Sequence, residues 1–390
     1  MGEFSRKDYI SHLPQSIIET ILAKVPTRDA VRTSILSKKW RYQWATMTQL
    51  VLDEEYMGFS GYRNVSKNKI LRFIVRYFLL HDGPIHKFKI STLYSISSTE
   101  MDTWLLFLSR KDIKELLLEV WQSRNYWNSQ SRNFWNFRTP SCIFSCQKLT
   151  RLKLYRFKVE PPLGFQGFPC LKYLNLFGGE VTIEVIENLI TGCPLLEKFK
   201  FSNGDNLALT VCSPNLKHLT VRGIFKYIYL EHTPSLVHLI LDFTSLQWED
   251  SVPVRVPVTH NCLKVISLRE INFEEMKQVS YVRQLLLQSP NLQELHILAG
   301  DFKCLNHQNA AGMDFWEREF PTDFTFKHLK IVNMDYSCSR IDIAFLIFVL
   351  GRSPVLEKMC IKLESFDDIS DAELSRLQQA SANIQLHLFD

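Results

Sequence analysis

The phrase Ser213-Pro-Asn-Leu-Lys-His-Leu-Thr-Val221 returns 20 residues further along the chain as Thr233-Pro-Ser-Leu-Val-His-Leu-Ile-Leu241. Variants of it occur over most of this 390-residue sequence. The first leucine of each copy is Leu149, Leu171, Leu196, Leu216, Leu236, Leu263, Leu292, Leu329 or Leu356, so neighbouring copies begin 20 to 37 residues apart. A phrase that returns at this spacing predicts structural repeats that stack on one another.

Each repeat is predicted to begin with a β-strand, because the leucines of the phrase alternate with other residues. In the longer repeats a helical segment precedes the phrase and ends at its proline, as in residues 187–194, 284–290 and 348–354. A strand with one helix or loop cannot bury its own apolar face, so the repeats must pack against their neighbours. The fold class is therefore α/β, with an irregular leucine-rich-repeat solenoid. Ile85–Ile90 and Ile113–Leu118 are interpreted as degenerate first copies.

The first 50 residues follow a different, helical pattern. Pro14 suits the first turn of a helix, and Pro26 ends that helix. Thr27 is predicted to cap a second helix, and a third is predicted to begin near Ser37. The apolar residues at helical spacing are Ile17, Ile18, Ile21, Leu22, Val25, Ala30, Val31, Ile35, Leu36, Trp40 and Trp44. Three short helices cannot bury all of these side chains among themselves, so the surplus packs either on the rest of the chain or on a second protein.

The same segment resembles the F-box of plant proteins. The resemblance is carried by I-S-x-L-P, I-I-x-x-I-L and V-P-T-R-D-A-V-R-T-S-I-L-S-K-K-W-R, in that order. It implies docking on a Skp-type adaptor, which in turn sits on a cullin–RING ligase. The positions that it assigns to adaptor binding are Leu13, Pro14, Ile17, Ile21, Val25, Pro26, Val31, Ile35, Leu36, Trp40 and Trp44. The sequence departs from the family at Gln15, where Asp is usual, and at Gln43, where Leu is frequent.

Residues 320–390 resemble the FBD domain that often follows F-box and repeat segments in plant proteins. The carrying segments are 326–332, the apolar helix Ile341–Leu350, and 353–361. Physically they are interpreted as the last repeats and a cap, with a polar helix at Asp371–Gln379. The expected organisation is thus an F-box at 1–50, a leucine-rich-repeat solenoid at 51–319 and FBD-like terminal repeats at 320–390.

A binding surface is expected on the open face of the repeat sheet. Because the leucines point inward, alternation places the intervening residues on that face. The members chosen for substrate binding are Arg151, Lys153, Tyr155, Tyr173, Phe177, Lys198, Lys200, His218, Arg222, His238 and Arg269. Cations and aromatic rings predict an acidic or phosphorylated protein segment as the ligand. An ordinary solvated face is the alternative.

Other patterns give weaker indications. The aromatic and Arg-containing stretch Trp121–Arg138 has the composition of a base-stacking surface, but packing or protein contact is the favoured interpretation, and no nucleic-acid partner is expected. Cys142 and Cys146 have no second pair at metal-ligand spacing, so we expect thiols and no metal site. No motif of a known catalytic site or cofactor-binding loop occurs, so neither an enzyme nor a cofactor is expected.

Two interpretations of function stay open beside the unsupported one of an enzyme. The first is the substrate receptor of a cullin–RING ubiquitin ligase, and the second is an adaptor-bound repeat scaffold that delivers nothing for degradation. The start of the chain has no apolar leader, and the longest apolar run, Ile343–Leu350, is too short to span a bilayer. We therefore expect no membrane association and a location in the nucleus, the cytoplasm or both.

Overall fold

The computed structural model describes residues 12–53, 67–92, 97–120, 137–242, 259–271, 273, 275–299, 313–336, 343–363 and 385–389. They fall into two compact units, Met1–Cys193 and Pro194–Asp390. The whole cap helix expected at 371–379 and most of the aromatic stretch, residues 121–136, lie outside the described residues. Within the described ranges, no helix combines the length and apolar character needed to cross a bilayer.

The first unit contains helices, short strands and 3₁₀ turns. Its helices are α1 (Gln15–Leu22), α2 (Thr27–Arg32), α3 (Lys67–Leu80), α4 (Ser98–Ser109) and α5 (Ile183–Thr191). Its strands are β1 (Gln49–Asp53), β2 (Lys87–Thr92), β3 (Glu115–Val120), β4 (Phe137–Arg138), β5 (Arg151–Tyr155), β6 (Phe157–Lys158) and β7 (Tyr173–Phe177). Strands β1, β2, β3, β5 and β7 pair in that order, all parallel, and β4 pairs with β6. The expected degenerate copies are therefore strands β2 and β3 of this sheet, which confirms that interpretation.

The second unit continues the same design. Its strands are β8 (Lys198–Cys212), β9 (His218–His232), β10 (His238–Asp242), β11 (Val265–Ile271), β12 (Glu294–Ala299), β13 (Ile331–Tyr336), β14 (Lys358–Leu363) and β15 (Gln385–Phe389). They pair in sequence order, all parallel. Its helices are α6 (Met276–Leu287), α7 (Met313–Glu319) and α8 (Ile343–Gly351). An α/β repeat fold with parallel strands is the predicted fold class.

The repeat leucines form the core. The nine first leucines, from Leu149 to Leu356, are all buried. Beside them the strands contribute two rows of inward side chains that are in register from strand to strand. In the second unit the first of these rows is Phe199, Leu219, Leu239, Ile266, Leu295, Val332 and Met359. Stacking of the repeats therefore buries apolar side chains that a single repeat would leave exposed.

A tight turn starts most of these repeats. The backbone N–H of the first leucine donates to the carbonyl three residues earlier, as in Leu216 to Ser213 (3.3 Å), Leu236 to Thr233 (3.1 Å) and Leu292 to Ser289 (3.2 Å). Ser213, Thr233 and Ser289 are themselves buried. Pro suits the position after them, since its fixed φ favours the turn and its missing N–H is not needed there.

Strands β8 and β9 are longer than the phrase predicts, at 15 residues each. These two repeats are 20 residues long, which leaves no room for a helix before the next turn. The chain instead continues beyond the leucine phrase as extended backbone, with register shifts where it bends. In this second stretch, the side chains of Leu209, Val211 and Phe225 are buried.

Two expectations for the N-terminal module are wrong. No third helix starts at Ser37, since residues 36–42 form turns and a 3₁₀ turn covers Gln43–Thr46. Thr27 does not cap α2 but lies inside it, and its hydroxyl donates to the backbone carbonyl of Val51 at 2.9 Å. The hydroxyl thereby ties the start of α2 to strand β1.

Candidate partner-binding surfaces

Helix α1 carries two apolar stripes with different surroundings. Ile18 and Leu22, four residues apart, are buried with no exposed surface. Ile17 and Ile21 lie on the adjacent stripe and keep 45% and 39% of their surface exposed. Pro14, just before the helix, is exposed as well. One stripe thus packs on this chain, and the other lacks a complete covering among the described residues.

A second pair of exposed apolar residues follows helix α2. Ile35 is 84% exposed and Leu36 is 63% exposed. We call Ile17, Ile21, Ile35 and Leu36 the exposed quartet. Four further positions expected to bind an adaptor are half-buried: Leu13, Val25, Pro26 and Val31.

Trp40 and Trp44 are packing residues. They are only 3% and 5% exposed, so they have little surface to offer to a partner. The ring of Trp44 lies 5.2 Å from that of Tyr77 on α3, and its indole N–H donates to the carbonyl of Arg41 at 3.2 Å. They were expected to combine docking with internal packing, and their burial assigns them to packing.

The two departures from the F-box pattern contact each other. The amide nitrogen of Gln15 donates to the side-chain oxygen of Gln43 at 2.7 Å and to that of Glu19 at 3.1 Å. The amide of Gln43 donates in turn to the carbonyl of Lys39 at 3.1 Å. These bonds connect the start of α1 to the 3₁₀ turn that holds Trp44. Sequence reasoning treated the two glutamines as separate losses.

The open sheet face of the first unit is of mixed charge. Arg151 stacks over the ring of Tyr173 at 4.4 Å, and Tyr155 stacks on Phe177 at 4.8 Å. The ammonium of Lys153 lies 2.6 Å from a carboxylate oxygen of Glu119. Tyr155 is buried, and burial raises the pKa of its hydroxyl. A half-buried ion pair and stacked rings therefore occupy much of the face that the sequence presented as basic.

Three face residues of the first unit were missed. Glu115 on β3 and Lys87 on β2 lie in the same outward row as Arg151, and Glu119 on β3 lies in the row of Tyr155. Lys87 and Glu115 approach to 3.6 Å. Extending the alternation into the two degenerate copies would have found them.

In the second unit the face residues lie in three outward rows. Lys198, His218 and His238 are adjacent in one row, and Arg222 and Arg269 belong to another, with Asp242 between them. The imidazoles of His218 and His238 stack at 4.5 Å. Burial lowers the pKa of His218, and the charge of Lys198 adds to the effect. Lys200 is exposed in a third row between these two.

Charge on this face is partly compensated. The guanidinium of Arg222 lies 4.0 Å from the carboxylate of Asp242. No group of three His, Cys, Asp or Glu side chains among the described residues is placed to hold a metal ion. Burial raises the pKa of the Cys146 and Cys193 thiols to about 11, which keeps them protonated and unreactive at neutral pH.

Comparison with known proteins identifies the family. The F-box domain profile matches residues 10–49, and the profile described as the LRR repeats of FBD-associated F-box protein At5g56370 matches residues 101–261. The F-box/FBD/LRR-repeat protein At1g13570 of Arabidopsis thaliana is 39% identical over 99% of both chains. The chain belongs to the F-box/FBD/LRR-repeat family. The probable FBD-associated F-box protein At1g32375 of the same plant is 25% identical over 76% of this chain and 70% of its own.

Membership of the F-box/FBD/LRR-repeat family relates both the exposed quartet and the open sheet face to protein interaction. An F-box with leucine-rich repeats implies a role in F-box-mediated protein interaction, typical of substrate receptors. F-box domains generally bind Skp1-type adaptors of cullin–RING ligases, and families of this kind are generally non-catalytic. The exposed quartet lies within the matched F-box, and strands β5 to β10 lie within the matched repeats.

Proposed function

We propose that this protein is the substrate-recognition subunit of an SCF-type cullin–RING ubiquitin ligase. The F-box docks on a Skp-type adaptor, and the open sheet face of the repeats captures a substrate protein for ubiquitination. The protein takes no part in bond chemistry itself and needs no cofactor. It works in the nucleus, the cytoplasm or both.

The exposed quartet carries this proposal. Fully burying one side chain of this size contributes about 1.5–3 kcal/mol. Several such side chains entering a preformed groove offset an association cost of about 4–15 kcal/mol. Ile17 and Ile21 already lie on a formed helix whose adjacent stripe is packed, so docking does not have to order the backbone that carries them.

Adaptor affinity of a double variant tests the docking step. Ile17→Asp with Ile21→Asp is expected to weaken binding to purified Skp-type adaptor at least about 100-fold, since two apolar contacts are lost and two charges are desolvated. The unfolding midpoint should stay close to that of the parent, because both positions are exposed. The matched control is Leu163→Asp, at a fully exposed apolar residue outside the F-box.

Unchanged adaptor affinity in the double variant would contradict the docking proposal. The delivery step needs a second experiment, in which ubiquitin load and lifetime of captured proteins are compared between cells with the parent and with the double variant. Substrates should lose ubiquitin and accumulate with the variant, and proteasome inhibition should give the same accumulation with the parent. If the ubiquitin load and lifetime of the captured proteins stayed the same under both treatments, the adaptor-bound scaffold would be the favoured function.

A further inference from the structure

A cleft of about 370 Å³ opens on the outward face of β11 to β14 in the second unit. Its lining includes Arg269 from β11, Leu298 from β12, Asp335 from β13 and Lys362 from β14. The strands are parallel and in register, so these four side chains form one row across the sheet. Adjacent strands are about 4.8 Å apart, which places the Cα atoms of Arg269 and Asp335 roughly 10 Å apart. Their side chains form no ion pair with each other, and the cation near Asp335 is Lys362.

The cation at one end of the row has no side-chain partner among the described residues. The guanidinium of Arg269 makes no hydrogen bond or ion pair with any of them. Its neighbour Asp242 lies near Arg222 on its other side, at 4.0 Å. On the cleft side stands Leu298, an apolar residue at the place where a carboxylate would continue the alternation of charge.

The carboxylate at the other end is incompletely satisfied. One oxygen of Asp335 is buried and receives no hydrogen bond from the described residues. The ammonium of Lys362 is 3.7 Å from the other oxygen, beyond hydrogen-bond distance. A carboxylate without donors is unfavourable in the free protein, and rotation about its last side-chain bond turns either oxygen towards the cleft.

In the neighbouring row, the side chains of His296 and Asn333 already have hydrogen-bond partners. A ring nitrogen of His296 lies 3.2 Å from a carboxylate oxygen of Glu294, and the other accepts from the amide of Asn333 at 2.9 Å. The hydrogen-bonding demand of the cleft is thus concentrated at Arg269 and Asp335. Between them lies an apolar surface.

We propose that this cleft binds an extended peptide segment of the captured protein in which an acidic and a basic side chain flank an apolar one. The acid pairs with Arg269, the apolar side chain covers Leu298, and the base donates to Asp335. Alternate residues of an extended peptide point to the same side and are about 6.6–6.8 Å apart. The charged side chains of the peptide are flexible enough to reach Arg269 and Asp335 from these positions. The inference rests on the proposed substrate capture and gives β13 and β14, within the FBD-like segment, a part in it.

Charge variants with defined peptides test the site. The probes are fluorescent peptides with cores Asp-Ser-Leu-Ser-Lys, Asp-Ser-Leu-Ser-Asp and Lys-Ser-Leu-Ser-Lys, titrated into the full-length protein bound to its adaptor. The parent should prefer the mixed-charge peptide by about tenfold. Arg269→Glu should move the preference to the doubly basic peptide, and Asp335→Lys to the doubly acidic one. Lys264→Glu, at an exposed lysine outside the cleft lining and outside the expected substrate-binding residues, should keep the parental ranking.

Two outcomes would overturn the inference. One is that the parent does not bind the mixed-charge peptide. The other is that all variants rank the three peptides as the parent does. Arg269→Gln and Asp335→Asn, which keep side-chain size, replace the reversals if those unfold, and each should erase the preference for mixed charge. Adaptor affinity is measured on the same samples. A correct ranking without substrate turnover would contradict the ligase role alone, whereas turnover without a ranking would contradict the cleft alone.

Discussion

At the scale of single residues, the F-box shows how a local loss is offset by a distant partner. An acidic residue at the start of a helix contributes about 0.5–1 kcal/mol through the helix dipole, and Gln15 lacks that charge. Its amide instead reaches Gln43, 28 positions further along the chain, at 2.7 Å. The start of α1, and with it the orientation of Ile17 and Ile21, is thereby coupled to the turn that holds Trp44.

A double-mutant cycle measures this coupling. Gln15→Ala, Gln43→Ala and the double variant are expected to show a coupling of about 0.5 kcal/mol in urea unfolding, at the low end for a hydrogen bond because the pair is exposed. Gln15→Ala combined with Lys24→Ala, at an exposed site that does not contact Gln15, serves as the additive control. Additivity in the glutamine cycle as well would mean that the bond contributes nothing.

At the scale of elements, the helix exits of the longer repeats look alike in sequence yet differ in packing. Gly192 follows α5 two residues before Pro194, and Gly351 ends α8 three residues before Pro354. A Cβ atom on Gly192 would lie 2.5 Å from the carbonyl oxygen of Gln166 and 3.0 Å from the Cα of Gly167. A Cβ on Gly351 would meet nothing within 4 Å.

Alanine at these two glycines should have opposite effects. Gly192→Ala is expected to lower the free energy of unfolding by about 1–3 kcal/mol, because backbone atoms must move apart. Gly351→Ala should raise it by about 0.5–1 kcal/mol, because alanine restricts the unfolded chain and fits the helix. Urea denaturation of both variants checks the difference in sign. Equal effects would show that the close approach at Gly192 relaxes without cost.

At the scale of the whole molecule, the described residues of each compact unit include one buried histidine. His81 in the first unit donates from its ring to the carbonyl of Met47 at 2.8 Å, and His260 in the second unit is buried as well. Burial lowers the pKa of both imidazoles below the ordinary value of 6.5. At mildly acidic pH, the unfolded chain therefore binds more protons than the folded chain.

This difference predicts a loss of stability on mild acidification. The contribution is present above pH 6.5 and declines as the pH falls below that value, because the unfolded histidines become charged. Urea unfolding at pH 7.5, 6.5 and 5.5 should show the decline, and His81→Gln with His260→Gln should flatten it. His12→Gln, at an exposed position, is the control. A double variant with the parental pH dependence would contradict the assignment.

The sequence by itself determined the repeat fold. Leu216 and its equivalents, the prolines before them and the alternation after them are local signals, and each predicts its strand without knowledge of the neighbours. The exposed apolar surplus of the F-box was predicted in the same way, from a count of apolar residues against three short helices. These features were predictable because they depend on spacing along the chain.

Only the tertiary structure decided which side chains meet. Ile17 and Ile18 are equally apolar, and packing against other elements makes one exposed and the other buried. The pairs Gln15 with Gln43 and Lys153 with Glu119 join residues 28 and 34 positions apart, and no local pattern specifies them. Contacts of this kind depend on how repeats and turns stack, so a face that appeared basic in sequence became one of mixed charge.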